Sequence, residues 1–181
     1  MSAAESIELP AWAEVSGPRR DHIARVTTLL LTWARALGLD SATTAMWRDA
    51  GLWHDALRNA EEQQLRALTS DTNRPAELLH GPAVASKLEK EGDRRSELLD
   101  AIRWHTVGHS TWGQTGRALY MADFLEPGRK FARADRVFLS EHVVHDFDGV
   151  FRQVVRQRIE WAVREGHFIY PETVELWNSV R

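Results

Sequence analysis

The 181-residue chain contains no cysteine. That removes disulfides, thiolate nucleophiles and zinc-thiolate sites together, so a bound metal would have to be held by nitrogen and oxygen. There is no run of 18 apolar residues and nothing with the pattern of a signal peptide, so a soluble, cytoplasmic protein with no membrane partner is expected. A basic excess is also missing: 23 Lys and Arg stand against 26 Asp and Glu, a formal net charge of −3. Such a chain has no general attraction to nucleic acid, and none is expected as a partner. One local basic run, Arg129, Lys130, Arg133 and Arg136, reads as a solvated helix face. Internal repeats, low-complexity tracts and dividing linkers are absent too, and no segment alternates with the period of two that marks a half-buried strand.

What remains is helical spacing. Ile23, Val26, Leu30, Trp33 and Leu37 recur at three- and four-residue intervals and Gly38 follows them, which predicts a helix over about 18–37. Asp40 or Ser41 caps a second helix, in which Met46, Ala50, Trp53 and Leu57 keep the period. The segment "DTNRP" breaks the chain, and a helix opens around Pro82, tolerated in a first turn. Further helices are predicted at about 96–105, 115–125, 131–142 and 147–165, the last ended by Gly166, with a short one starting at Pro171. The expected fold is all-α, a single-domain helical bundle over 18–181, preceded by an extension with a short helix over 1–17. The 8 Trp are scattered, and most read as core.

The stretch "GLWHDALRN" sets His54 beside Asp55 within the second predicted helix. The dipeptide alone proves nothing, because His145-Asp146 repeats it. Its meaning has to come from partners. His22 borders the apolar stripe of the first helix, His54 that of the second, His80 precedes Gly81-Pro82, His105 ends "ELLDAIRWH", and Asp123 lies four residues after Leu119. Any one of these is ordinarily a hydrogen-bonded core residue. Burying several at once costs about 1–3 kcal/mol for each unsatisfied neutral group, and a shared cation removes that cost. Imidazoles and carboxylates without thiolate suit Fe, Mn, Zn, Co or Ni more than Mg.

In this order His22, His54-Asp55, His80, His105 and Asp123 resemble the H…HD…H…H…D signature of the HD-domain phosphohydrolase superfamily. The blocks "LLHGP", "AIRWHTVG", "ALYMADFLEPGRKF" and "YPETVELWN" are similar to those of its YqeK-like members, which hydrolyse diadenosine tetraphosphate symmetrically to two ADP. The resemblance spans about residues 18–178. It implies a dinuclear divalent centre, iron first, with His22, His54, Asp55 and Asp123 on one ion and Asp55 bridging to a second held by His80 and His105. A metal-bridged hydroxide would attack phosphorus. Asp55, Arg58 and His109 would be catalytic, His109 as proton donor, and Arg58, Thr106 and Arg129 would contact phosphate. Arg58 stands where such proteins commonly carry lysine, and "RRDHIARV" is looser than their usual start.

Around these residues several readings stay open. Asp21 is either a partner for a ligating imidazole or an exposed charge of a helix start. Trp104 or Trp112 could stack on adenine or pack in the core. His109 could equally be an exposed loop residue. The three glycines of "TVGHSTWGQTG" make residues 106–116 a candidate mobile wall. The substrate is expected to be a nucleotide or dinucleoside polyphosphate. Alternatives are a nucleotidase acting on nucleoside mono-, di- or triphosphates and a non-catalytic nucleotide-binding module. A homodimer is compatible with all three.

Overall fold

A computed structural model of the chain describes residues 8–129 and 131–181. Among them are nine α-helices, one more than the periodicity predicts, and no strand, so the chain is all-α as expected. The first two helices begin where a capping side chain provides for it. Helix α1 (Gly17–Ala36) is capped by Ser16 and has Pro18 in its first turn. It closes in a Schellman turn: Leu39 N–H reaches Ala34 O, Gly38 N–H reaches Arg35 O, and Gly38 takes the left-handed φ of +65° that such a turn requires. Helix α2 (Ser41–Trp53) is capped by Asp40, whose carboxylate accepts from the Thr43 amide and hydroxyl.

Two departures from the periodic pattern follow. Helix α2 stops at Trp53 instead of continuing to Leu57, and residues 54–59 form successive turns. The N-terminal segment competes for that backbone: Glu14 N–H donates to Ala56 O, Asn59 N–H donates to Glu14 O, and Asn59 Oδ1 accepts from Ser16 N–H. The second departure is α3 (Glu62–Thr69), which the apolar spacing passes over because it buries Leu65 alone and has no capping side chain. Residues 8–16 hold a turn and no helix, so the short helix expected over 1–17 is not found there; residues 1–7 lie outside the described residues.

After a 3₁₀ turn (Ala76–Leu78) come α4 (His80–Lys90), α5 (Ser96–Trp104) and α6 (Gln114–Leu125). Helix α6 is apolar nearly all round and packs against α1, α2, α5 and two later helices, α7 (Arg133–His142) and α8 (Phe147–Arg164). Its buried Leu119, Tyr120 and Met121 form the middle of the core with Leu30, Trp47 and Phe151. Helix α9 (Pro171–Val180) closes the chain and inserts Leu176. No helix of the described residues is long and apolar enough to cross a membrane.

Two glycines set the closest helix approaches. A Cβ on Gly51 of α2 would lie 2.8 Å from Thr27 Oγ1 and 2.9 Å from Thr27 Cα of α1. A Cβ on Gly81 of α4 would lie 2.6 Å from Ile102 O and 3.0 Å from the His105 ring. The basic run read as a solvated face is in part turned inward. Arg136 is buried, donating to the carbonyls of Phe124 and Glu126, and burial pushes its guanidinium down to about 10. Arg133 is exposed, and Lys130 lies outside the described residues.

Candidate metal centre

All six predicted ligand residues lie at one end of the bundle. His22 comes from the N-terminal half of α1, His54 and Asp55 from just past α2, His80 from the start of α4, His105 from the residue after α5, and Asp123 from the last turn of α6. All are buried. Helix ends explain how the rings are aimed. The last carbonyls of a helix have no amide partner of their own. His54 Nδ1 lies 2.8 Å from Gly51 O and His105 Nδ1 lies 2.8 Å from Ile102 O. His80 Nδ1 stands 2.9 Å from Glu77 O in the same three-residue relation. A ring Nδ1–H donates to each carbonyl, and every Nε2 lone pair is left pointing into the cluster.

His22 lies within a helix, and its Nδ1 partner is the carboxylate of Glu126, 3.1 Å away. The sequence reading did not single out Glu126, although it stands three residues after Asp123. It takes the place offered for Asp21, which is exposed. Glu126 also accepts from Arg25 Nε at 2.5 Å and from Gly128 N–H at 2.6 Å. Burial alone would raise its pKa, but the hydrogen bonds from His22, Arg25 and Gly128 outweigh burial and hold it at about 2.

The Nε2 atoms then converge on two groups, His22 with His54 and Asp123, and His80 with His105 and Asp55. Asp55 faces both. Its Oδ1 lies 3.0 Å from His80 Nε2 and 3.5 Å from His105 Nε2, while its Oδ2 lies 3.6 Å from His54 Nε2 and 3.7 Å from His22 Nε2. Asp123 Oδ1 is 3.1 Å from His22 Nε2. The Nε2 atoms of His80 and His105 stand 3.0 Å apart, those of His22 and His54 3.4 Å. Two imidazole lone pairs aimed at each other at such distances repel unless a cation or a proton lies between them. The donor set, four imidazoles and two carboxylates with every Nδ1 engaged, thus fits a divalent metal.

The ionisation states suit that role. Burial drives the His54 imidazole down to about 4 and lowers His80, so both rings are neutral at pH 7. Burial would raise the Asp55 carboxyl, but His54, His105 and His80 outweigh it and hold it well below the usual carboxylate range. At Asp123 burial is likewise outweighed, by His22, Arg129 and Arg158. The His22 imidazole is raised: burial opposes the shift, and Asp123 and Glu126 overcome it.

Arginines surround the carboxylates. Arg19 Nη1 lies 2.7 Å from Asp55 Oδ2, Arg129 Nη2 2.8 Å from Asp123 Oδ1, and Arg158 Nη1 3.6 Å from Asp123 Oδ2. Of these, sequence reasoning named Arg129 alone. Arg19 precedes His22 by three residues, and Arg158 follows Val154 by four on the apolar stripe of α8; both spacings were signals. The Arg58 backbone N–H donates to Asp55 O, its side chain has no hydrogen-bond or ion-pair partner among the described residues, and its charge helps lower His80. Thr106 Oγ1 is 3.3 Å from His105 Nε2.

His109 is not joined to the six residues: its ring lies against Trp104 at 5.3 Å, and its Nδ1 accepts from the Thr111 hydroxyl. Trp112 is core, packed on Gly116, whereas Trp104 is half-buried. The wall expected to be mobile is held at its start. Thr106 O accepts from Arg158, Val107 O accepts from Thr173, and Leu176 fills the space beside Gly108. The second dipeptide has a structural use: Asp146 caps α8 through the Gly149 amide, and His145 is exposed.

Comparison with known proteins agrees with this arrangement. The chain is similar to the symmetrical bis(5'-nucleosyl)-tetraphosphatase of Bacillus subtilis (strain 168), 24% identical over 165 residues that cover 87% of this chain and 86% of that protein. The protein of that description from Halalkalibacterium halodurans is 24% identical over 170 residues, 90% of this chain and 88% of the relative. In fold it matches a crystal structure from Clostridium acetobutylicum, described as a predicted HD superfamily hydrolase involved in NAD metabolism. The TM-score is 0.78 at 24% identity, with 92% of this chain and 90% of that one covered. The family model described as HD domain matches residues 19–139, a span that holds all six clustered residues. The chain therefore belongs to the HD-domain family, whose hallmark is divalent metal binding.

Proposed function

We propose that the chain is a metal-dependent phosphohydrolase that cleaves dinucleoside tetraphosphates symmetrically, diadenosine tetraphosphate to two ADP. The observation that carries the reading is Asp55, which presents one carboxylate oxygen to each histidine pair. In this reading His22, His54 and Asp123 would hold one ion, His80 and His105 a second, with Asp55 shared between them. Iron comes first among the ions such donors suit, with Mn, Co, Ni and Zn as alternatives. Two such ions, when bound, acidify water and neutralise phosphate oxygens.

The chain's own residues supply the rest. The Nε2 atoms of His54 and His80, whose rings burial keeps lowered and whose Nδ1 atoms are engaged, resist protonation at neutral pH. Arg19, Arg129 and Arg158, which pair with Asp55 and Asp123, offer their remaining N–H groups to a polyphosphate. Arg58 adds positive charge beside His80, and Thr106 offers a hydroxyl beside His105. Water adds to one of the two central phosphorus atoms, the central P–O bond breaks, and each product leaves as a nucleoside diphosphate. The names of the similar proteins from Bacillus subtilis and Halalkalibacterium halodurans support this substrate class.

Product analysis tests it. Metal-loaded protein given diadenosine tetraphosphate should yield ADP as the sole nucleotide product. ATP and AMP in equal amounts would contradict symmetrical cleavage. Phosphate release from mononucleotides, with the dinucleotide untouched, would favour a nucleotidase.

A further inference from the structure

The metal centre adjoins a cleft of about 470 Å³ walled by the loop after α5, the C-terminal half of α8 and the segment leading into α9. That volume lies within the roughly 300–1,000 Å³ typical of small-molecule sites. Thr106, Tyr120 and Arg158 line it on the side of the centre, and Trp161, Phe168 and Tyr170 line it farther along α8 and the following segment. Cleft and centre share a wall: Thr106 Oγ1 is 3.3 Å from His105 Nε2, and Arg158 Nη1 is 3.6 Å from Asp123 Oδ2.

Arg158 is held firmly at this junction. Its guanidinium stacks 4.0 Å above the Tyr120 ring, and Nη2 donates to Thr106 O at 3.1 Å. Nη1 is buried and makes no hydrogen bond, standing 3.6 Å from the Asp123 carboxylate. The ion pair leaves Nη1 short of a hydrogen bond, which is costly for a buried charged N–H, and the Arg158 side chain lines the cleft, where an anionic oxygen would meet its charge. The rim of the cleft is aromatic and open. Trp161 is 47% exposed and Phe168 71% exposed, whereas Trp33, Trp47 and Trp112 are buried. Trp161 lies against His167 with ring centroids 4.7 Å apart, and Phe168 meets Tyr170 at 5.0 Å. Exposed aromatic faces at one end and a guanidinium at the other match a molecule with a flat base at one end and phosphate at the other.

We propose that this cleft is the nucleoside subsite. The phosphate chain passes Arg158 to reach the centre, and the base lies on the aromatic rim of Trp161 and Phe168. The proposal rests on the phosphohydrolase reading above and says where one nucleoside half goes.

Titration calorimetry on the metal-loaded protein tests it with two probes, ADP and inorganic pyrophosphate, which differ by the nucleoside. Wild type should bind ADP at least tenfold more tightly than pyrophosphate, a base-stacking contribution of ordinary size. The double variant Trp161→Ala/Phe168→Ala should lose ADP affinity until the ratio approaches one. Arg158→Gln should weaken both probes about equally. A wild-type ratio near one, or an undiminished ratio in the double variant with native circular dichroism, overturns the subsite. Should the ratios behave as expected while no dinucleoside tetraphosphate is turned over, the hydrolase reading fails and the nucleoside subsite stands.

Discussion

Among single residues, Glu126 is the most informative, because it touches the cluster through His22 and is itself outside the ligand set. Glu126→Gln keeps the shape but removes the charge that holds the His22 imidazole. It should weaken metal affinity about 10–100-fold, as loss of a ligand's carboxylate partner generally does, measured by competition with a chelator. Unchanged affinity would show that Glu126 merely ties Arg25 to the loop. Its acid behaviour has a definite sign. The folded pKa of about 2 lies below the ordinary 4.5, so Glu126 stabilises the metal-free fold above about pH 4.5 and loses that contribution as pH falls toward 2. Denaturant titrations of metal-free protein between those limits should therefore show a shallower pH dependence in Glu126→Gln than in wild type. The six clustered residues were legible in the sequence because each is a histidine or aspartate on an apolar border. Glu126 was not, because its function depends on the backbone turning after Leu125 to bring it back to α1.

At the scale of helices, two glycine crossings bring the histidines together. Gly51 lets α2 close on α1, near the His22 and His54 pair, and Gly81 lets α4 close on α5, against the His105 ring. Gly51→Ala and Gly81→Ala should each destabilise the fold by about 1–3 kcal/mol through overpacking against backbone. Thermal unfolding should register each as a drop in Tm of about 2–12 °C. Gly17→Ala, where an added methyl meets nothing within 4 Å, should change Tm by less than either. Equal effects at all three positions would mean that the crossings are looser than the distances say. Helix spacing in the sequence located eight of the nine helices. It overran α2, because the interruption comes from residues 14–16 and not from the helix itself, and it passed over α3, whose one buried residue gives no period to read.

For the whole molecule, the bundle gathers five chain segments at one end, and a bound cation would relieve the mutual repulsion of their lone pairs. A ligand that binds only the folded chain stabilises it by about 2.7 kcal/mol at a hundred times its Kd. Chelation should therefore lower Tm, and re-addition of iron or manganese should restore it; indifference to both would argue against a structural contribution from the centre. The single-domain bundle was legible because capped amphipathic helices dominate the chain. The aromatic cleft was not, because Thr106, Arg158 and Phe168 come together only when α8 and α9 fold back over the loop after α5. Elemental analysis of purified wild type, Asp55→Ala and His145→Ala tests most directly whether Asp55 joins two ions, with circular dichroism as the check on folding. Two metal ions per chain are expected in wild type and in His145→Ala, with most of both lost from a still-helical Asp55→Ala. An Asp55→Ala protein that keeps both ions and full turnover would contradict the account.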